Sequence, residues 1–260
     1  MKNVALITGA SGGLGECFAE LFARDGYNLI LVARNEEKLN RVKERVKREY
    51  NVSAEIFVCD LSDTDAADKV YAFAAEKEAE IAALVNNAGF GDFGEFHRAD
   101  TEKLTAMVQV NDMTPMRLTR LILPQMTQRK SGKILNVASV AAFAPGALMS
   151  VYYASKAFVL SLSEGLSVEL KKYGVTVTAL CPGPTKTGFE SAAALGESGL
   201  FKNLKNADAM KTATFGYKKM KKGKAVAVHG AYNRFLVRLM KFAPRALVRK
   251  CVYNIQKEKK

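Results

Sequence analysis

Short runs of consecutive apolar residues alternate along this chain with stretches whose apolar positions recur every three or four residues. The runs are Val4 to Thr8, Asn28 to Val32, Glu55 to Cys59, Ile81 to Asn86, Lys133 to Ala138, Val175 to Leu180 and Ala225 to Val228. Between the first two, Gly13 to Arg24 sets Phe18, Leu21 and Phe22 on one helical face. After the second, Asn35 is a ready cap for a charged helix reaching about Tyr50. Strands that are apolar throughout belong to sheets covered on both faces, and their alternation with helices predicts a parallel sheet. The predicted fold is α/β: one sheet of about seven parallel strands with helices on both sides. Ligands in such sheets bind beyond the carboxyl ends of the strands.

Those strand ends carry the informative residues. The first strand runs into Thr8-Gly-Ala-Ser-Gly-Gly-Leu-Gly15. Glycines between a strand and a helix let the chain turn tightly and let backbone approach a pyrophosphate. The helix start then offers free N–H groups to the anion. A glycine-rich turn can also exist without a ligand. The spacing T-G-x-x-x-G-x-G resembles the opening motif of the short-chain dehydrogenase/reductase family. Asn86-Asn-Ala-Gly89 resembles that family's N-N-A-G motif, and Pro182-Gly-Pro-Thr-Lys-Thr187 its loop on the nicotinamide side. The resemblance covers roughly residues 3–190. It implies a single Rossmann-type domain and a nicotinamide cofactor held by Gly9, Ser11, Gly13, Leu14 and Gly15, by Asp60 and Leu61 at the adenine, by Asn87, Ala88 and Gly89, and by Pro182, Gly183, Thr185 and Thr187.

The second strand ends on Ala33-Arg34. An acidic residue there would hold a ribose 2′-hydroxyl and select NAD. A guanidinium can instead pair with a 2′-phosphate through two charge-assisted hydrogen bonds. Arg34 therefore favours NADP(H), while Glu36 and Glu37 nearby argue the other way, and a merely solvated Arg34 remains the alternative.

Tyr152 and Lys156 lie four residues apart on a predicted helix and share a face. A free phenol, with a pKa of about 10, is a poor base at neutral pH, and a neighbouring ammonium favours its ionised form. Such a pair can pass a proton to or from a carbonyl oxygen. Tyr153 is the rival, one residue out of register with Lys156. The resemblance implies that Tyr152 is the general acid/base, that Ser139 hydrogen-bonds the substrate oxygen, that Lys156 also holds the nicotinamide ribose, and that Asn111 positions a proton-relay water. Phe90, Phe93, Phe96, Phe143 and Met149, with Phe189, Leu195, Leu200 and Phe201 beyond them, suggest a small apolar carbonyl substrate.

The length of 260 residues fits one domain. We expect residues 1–230 to form it, with a substrate lid at about 185–212, and residues 231–260 to form a basic amphipathic extension. Cys17, Cys59, Cys181 and Cys251 are widely spaced, and only two histidines are present, so neither a disulfide framework nor a metal site is expected. Free thiols suit a cytoplasmic protein. The uncharged stretch from Ile134 to Ser155 contains Asn136, Pro145 and Gly146, which fits a strand, a loop and a helix start rather than a membrane span.

Charge changes the picture at one end only. Residues 1–200 hold 22 Lys/Arg and 24 Asp/Glu, a net of −2. Residues 201–260 hold 17 Lys/Arg and 2 Asp/Glu, a net of +15, giving +13 for the chain. Arg234, Arg238, Lys241, Arg245 and Arg249 recur at helical spacing, with Pro244 breaking the path into two helices. Such a segment can rest on an anionic membrane surface, here the inner face, or dock an acidic carrier protein, or simply cover its own core. No nucleic-acid motif accompanies it, so nucleic acid is not an expected partner. This end resembles long-chain 3-oxoacyl and hydroxysteroid reductases of the family, whose members are often dimers or tetramers. The expected function is NADPH-dependent carbonyl reduction. The alternatives are a non-catalytic NADP-binding regulator and a membrane-surface protein in which the basic end dominates.

Overall fold

The computed structural model describes residues 1–187 and 207–257. Seven strands form one sheet: β1 (Val4–Thr8), β2 (Asn28–Ala33), β3 (Ala54–Val58), β4 (Ile81–Asn86), β5 (Gly132–Val137), β6 (Val175–Cys181) and β7 (Val226–Val228). Every pairing is parallel, in the order β3-β2-β1-β4-β5-β6-β7. The order reverses between β1 and β4, which opens a crevice at their carboxyl ends.

The alternation inside β1 shows how both faces are covered. Ala5 and Ile7 point to a core completed by Phe18, Phe22, Leu39 and Val46 from α1 (Gly13–Arg24) and α2 (Glu36–Tyr50). Val4 and Leu6 point the other way, to Val70 of α3 (Ala66–Glu76) and to Leu118, Ile122 and Met126 of α5 (Thr114–Gln128). Asn35 caps α2 as expected, its Oδ1 accepting from the Lys38 N–H at 2.8 Å.

Two further helices bear on the site. α4 (Thr101–Val108) runs through a π-helical turn, Gln109–Met113, into α5. The 20-residue α6 (Ser150–Glu169) lies along β6. A buried polar ladder fixes both α5 and α6 to the sheet. Asn86 and Asn136 are partners in register on β4 and β5. Asn86 Nδ2 donates to Asn136 Oδ1 (2.8 Å) and to Thr119 Oγ1 on α5 (3.1 Å), and Asn136 Nδ2 donates to Ser163 Oγ on α6 (2.8 Å). Buried polar groups satisfied in this way specify one packing arrangement.

Beyond β6 the chain returns at Ala207, which bridges to Thr185, and α7 (Ala209–Lys221) packs on α1. Thr212 and Ala213 of this helix are fully buried in the body of the fold. Residues 188–206 of the expected lid, including Phe189, Leu195, Leu200 and Phe201, lie outside the described residues. After β7 come α8 (Ala231–Phe242) and α9 (Arg245–Gln256), separated at Pro244 as predicted.

Candidate active site

A cavity of about 670 Å³ lies along the carboxyl ends of the strands. Its floor at one end is the turn after β1. Gly9 has φ +65, and a Cβ there would stand 2.8 Å from Asn87 Nδ2; any side chain would be both strained and crowded. A Cβ on Gly15 would collide with the Gly9 carbonyl oxygen, so this glycine sets the close approach of α1 to the turn. Gly15 is buried beneath the cavity rather than lining it, unlike every other residue expected at the cofactor. Gly12 begins α1 without a side-chain cap. Its first-turn N–H groups are thus available to an anion.

The residues after β4 brace this turn. Thr8 Oγ1 accepts from the backbone N–H groups of Asn87 (3.0 Å) and Ala88 (3.1 Å). Asn87 Nδ2 donates back to the Thr8 carbonyl at 2.9 Å. Asn87 borders the cavity, but its amide serves the turn.

At the end of β2, Arg34 lies 3.6 Å from Asp60, which follows β3. Burial pushes the Asp60 carboxyl up, yet hydrogen bonds from Ser62 and the Arg34 charge outweigh it and hold the carboxyl below its ordinary range. Lys38, in the first turn of α2, lines the same end of the cavity. Sequence reasoning missed it, although its place in the first turn of the helix that follows Arg34 was available as a signal.

At the opposite end, Ser139, Tyr152 and Lys156 share the cavity wall. Ser139 begins the helical turn Val140–Phe143, and its Oγ accepts from the Ala141 N–H at 3.1 Å. Burial raises the Tyr152 phenol to about 12, with the Ser139 hydroxyl acting in the opposite direction. Lys156 Nζ donates to the Val137 carbonyl (2.9 Å) and sits 5.8 Å from the centre of the Tyr152 ring. Burial lowers it to about 8, against the pull of Asp112.

Asn111 does not border the main cavity. On the π-helical turn, its Nδ2 donates to the Phe90 carbonyl and to Ser155 Oγ (both 3.0 Å), and its Oδ1 accepts from the Phe90 N–H (3.1 Å). A Cβ built on Gly89 would lie 2.9 Å from Asn111 Oδ1 and 3.3 Å from Lys156 Nζ, so the two side chains converge behind the cavity wall. Single π turns of this kind recur at functional sites. The neighbouring Asp112, passed over in the sequence, is buried. Desolvation raises its carboxyl to about 7, opposed by Lys156, and its Oδ1 finds no hydrogen-bond partner among the described residues.

Phe90, Met149 and Tyr153 line the apolar part of the cavity. Phe93 packs beside Met149 and Tyr153, and Phe143 packs against the core around Ala138 and Val159. Phe96 is corrected: it is 67% exposed and faces solvent. The surprise is Gln256 at the end of α9, whose amide donates a buried hydrogen bond to the Tyr153 hydroxyl. Tyr153 is thus anchored to α9, and its burial raises it to about 12.

The profile of the short chain dehydrogenase family matches residues 3–197. The chain belongs to the short-chain dehydrogenases. Among curated members, the very-long-chain 3-oxoacyl-CoA reductase-B of Danio rerio is 35% identical over 182 residues, 68% of this chain but only 58% of that protein. Among solved structures, a short-chain dehydrogenase from Sphingobium yanoikuyae in complex with NADPH is 32% identical with a TM-score of 0.82, covering 94% of this chain and 96% of that one. A family member from Burkholderia phymatum in complex with NAD is 26% identical with a TM-score of 0.81, covering 92% of each chain. This short-chain dehydrogenase therefore has the oxidoreductase fold and nicotinamide-binding architecture of its family. No helix among its described residues is long and apolar enough to cross a membrane.

Proposed function

We propose that this dehydrogenase uses NADP(H) to reduce the carbonyl of an apolar substrate, or to oxidise the corresponding alcohol. The observation that carries the reading is the convergence of Ser139, Tyr152 and Lys156 on one cavity whose far end is the uncapped start of α1. Such a cavity fits a dinucleotide: free N–H groups for the pyrophosphate, Asp60 and Leu61 for the adenine, Pro182 to Thr187 on the nicotinamide side. Arg34 and Lys38 are the cations for a 2′-phosphate, and no carboxylate among the described lining residues other than Asp60 competes with them. When bound, the nicotinamide supplies or accepts the hydride.

The protein's own part is a proton and a polarised oxygen. With its pKa raised to about 12, Tyr152 is a neutral phenol at physiological pH, ready to donate to a substrate oxygen that gains negative charge. Ser139 donates a second hydrogen bond to that oxygen and stabilises it. Lys156, cationic below about pH 8, holds the ribose and eases departure of the Tyr152 proton. To Asn111 we assign the positioning of a relay water beside Lys156. Support comes from the approach of its Oδ1 and Lys156 Nζ to Gly89.

Phe90, Met149 and Tyr153 favour an apolar substrate, and the Danio rerio relative, named for 3-oxoacyl-CoA reduction, makes a long 3-oxoacyl thioester the first compound to try. The exposed Val108, Met113 and Phe158 on α4, the π-helical turn and α6 suit a second copy of the chain, as in a homodimer. Titrating the protein with NADPH and NADH, then adding 3-oxoacyl thioesters, apolar ketones and steroids, tests the reading. Tighter NADPH binding with turnover supports it. Tighter NADH binding would overturn the cofactor assignment.

A further inference from the structure

The last two helices carry two apolar stripes where a surface helix needs one. The inner stripe covers the enzyme: Val237 of α8 and Val248 of α9 are buried, and Val252 packs against the Met149–Tyr153 cluster. The outer stripe on α8 is Tyr232, Phe235, Leu239 and Phe242, at spacings of three, four and three, and all four are exposed, Phe242 by 87%. Leu247 and Ile255 extend it along α9. Of the fourteen large hydrophobic residues exposed among the described residues, seven fall between 232 and 255, so apolar exposure is concentrated on these two helices. Exposed patches of this kind mark interaction sites.

Charge identifies the partner. Arg234, Arg238, Lys241, Arg245 and Arg249 are exposed on the same two helices, and the chain has no Asp or Glu between Asp208 and Glu258. A second copy applied to the same patch would set cation against cation. Helices that expose both an apolar stripe and several cations suit an interface that is apolar inside and anionic at its surface, which is the profile of an acidic lipid leaflet.

We propose that α8 and α9 dock this protein flat on an anionic phospholipid surface, the outer stripe entering the headgroup boundary and the arginines and lysines meeting lipid phosphates. The docked element also backs the wall of the cavity, though it contributes no residue to the lining. α8 touches the turn Val140–Phe143 that follows Ser139, and Gln256 of α9 holds Tyr153. Docking therefore brings the apolar end of the cavity to the bilayer, the source of an apolar substrate. This last consequence rests on the carbonyl-reductase reading, whereas docking itself does not.

The test is co-sedimentation of the full chain with vesicles of phosphatidylcholine alone and of phosphatidylcholine with phosphatidylglycerol, without substrate. We expect at least roughly tenfold stronger partitioning to the anionic vesicles, weakening as salt rises. The triple change Phe235→Ser, Leu239→Ser and Phe242→Ser alters only exposed side chains; it should leave the circular dichroism spectrum unchanged and abolish partitioning. The pair Arg238→Glu and Lys241→Glu should do the same. Equal sedimentation with and without vesicles would overturn the proposal. So would a triple variant that partitions like wild type, or one that changes only from dimer to monomer and so assigns the patch to a second copy. Vesicle binding without any carbonyl turnover would sustain docking and remove the reductase reading instead.

Discussion

Gln256, in the last turn of α9, hydrogen-bonds the hydroxyl of Tyr153, the immediate neighbour of Tyr152, with both side chains buried. One contact thus ties the end of the chain to the helix that carries Tyr152 and Lys156. The Gln256→Leu change strands the Tyr153 hydroxyl in an apolar setting, at a cost of about 1–3 kcal/mol. Thermal denaturation should show a melting temperature lower by several degrees. KM for an apolar substrate should rise more than kcat falls, because the wall loosens while Tyr152, the proposed proton donor, stays in place. An unchanged melting temperature and KM would mean that the contact is idle.

Arg34 and Lys38 face the same end of the cavity. Arg34 is 77% exposed in its side chain and engaged with Asp60, so solvent screens part of its pull. The double change Arg34→Ala and Lys38→Ala should weaken NADPH binding by roughly tenfold or more while leaving NADH nearly unaffected. Fluorescence titration with both nucleotides checks this. Equal losses would show that the two cations do not read a 2′-phosphate.

Asp112 has a carboxyl raised to about 7 by burial. For an acid, a raised folded pKa means that the native state keeps a proton the unfolded chain has lost. Stability therefore falls as pH rises from about 4 to about 7 and stays low above that. Asp112→Asn removes the penalty. Its advantage in urea denaturation over the wild type should widen by on the order of 2 kcal/mol between pH 5 and pH 8. A constant difference would contradict the burial argument.

Lys156 is lowered to about 8, whereas Tyr152 is raised to about 12. As pH climbs through 8, Lys156 loses its charge before Tyr152 loses its proton. The kcat/KM for carbonyl reduction should be level near neutrality and fall by up to roughly tenfold per unit above about pH 8. A profile flat to pH 10 would place the titrating group elsewhere.

The strands and the glycine-rich turn were readable because their signals are local. An apolar run between turn residues is a strand wherever it packs, and glycines between a strand and a helix already imply a tight turn. Tyr152 and Lys156 were legible for the same reason, being one helical turn apart. Gln256 was not, since its partner lies 103 positions away and no spacing announces it. Asp112 was hidden beside Asn111, because burial of a carboxylate depends on the π-helical turn and the helices around it. Phe96 misled, since an aromatic residue in a loop reads alike whether it faces substrate or water. The outer stripe of α8 blended with the inner one: sequence shows that both exist only once it is known which face meets the sheet.

The most direct measurement is single-turnover reduction of a 3-oxoacyl thioester or apolar ketone by the Tyr152→Phe variant, alongside its NADPH affinity. If Tyr152 is the proton donor, turnover should fall by roughly 10² to 10⁴ while NADPH binds as before. Turnover within a few-fold of wild type, with binding intact, would contradict the assignment and move the chemistry to another residue of the cavity.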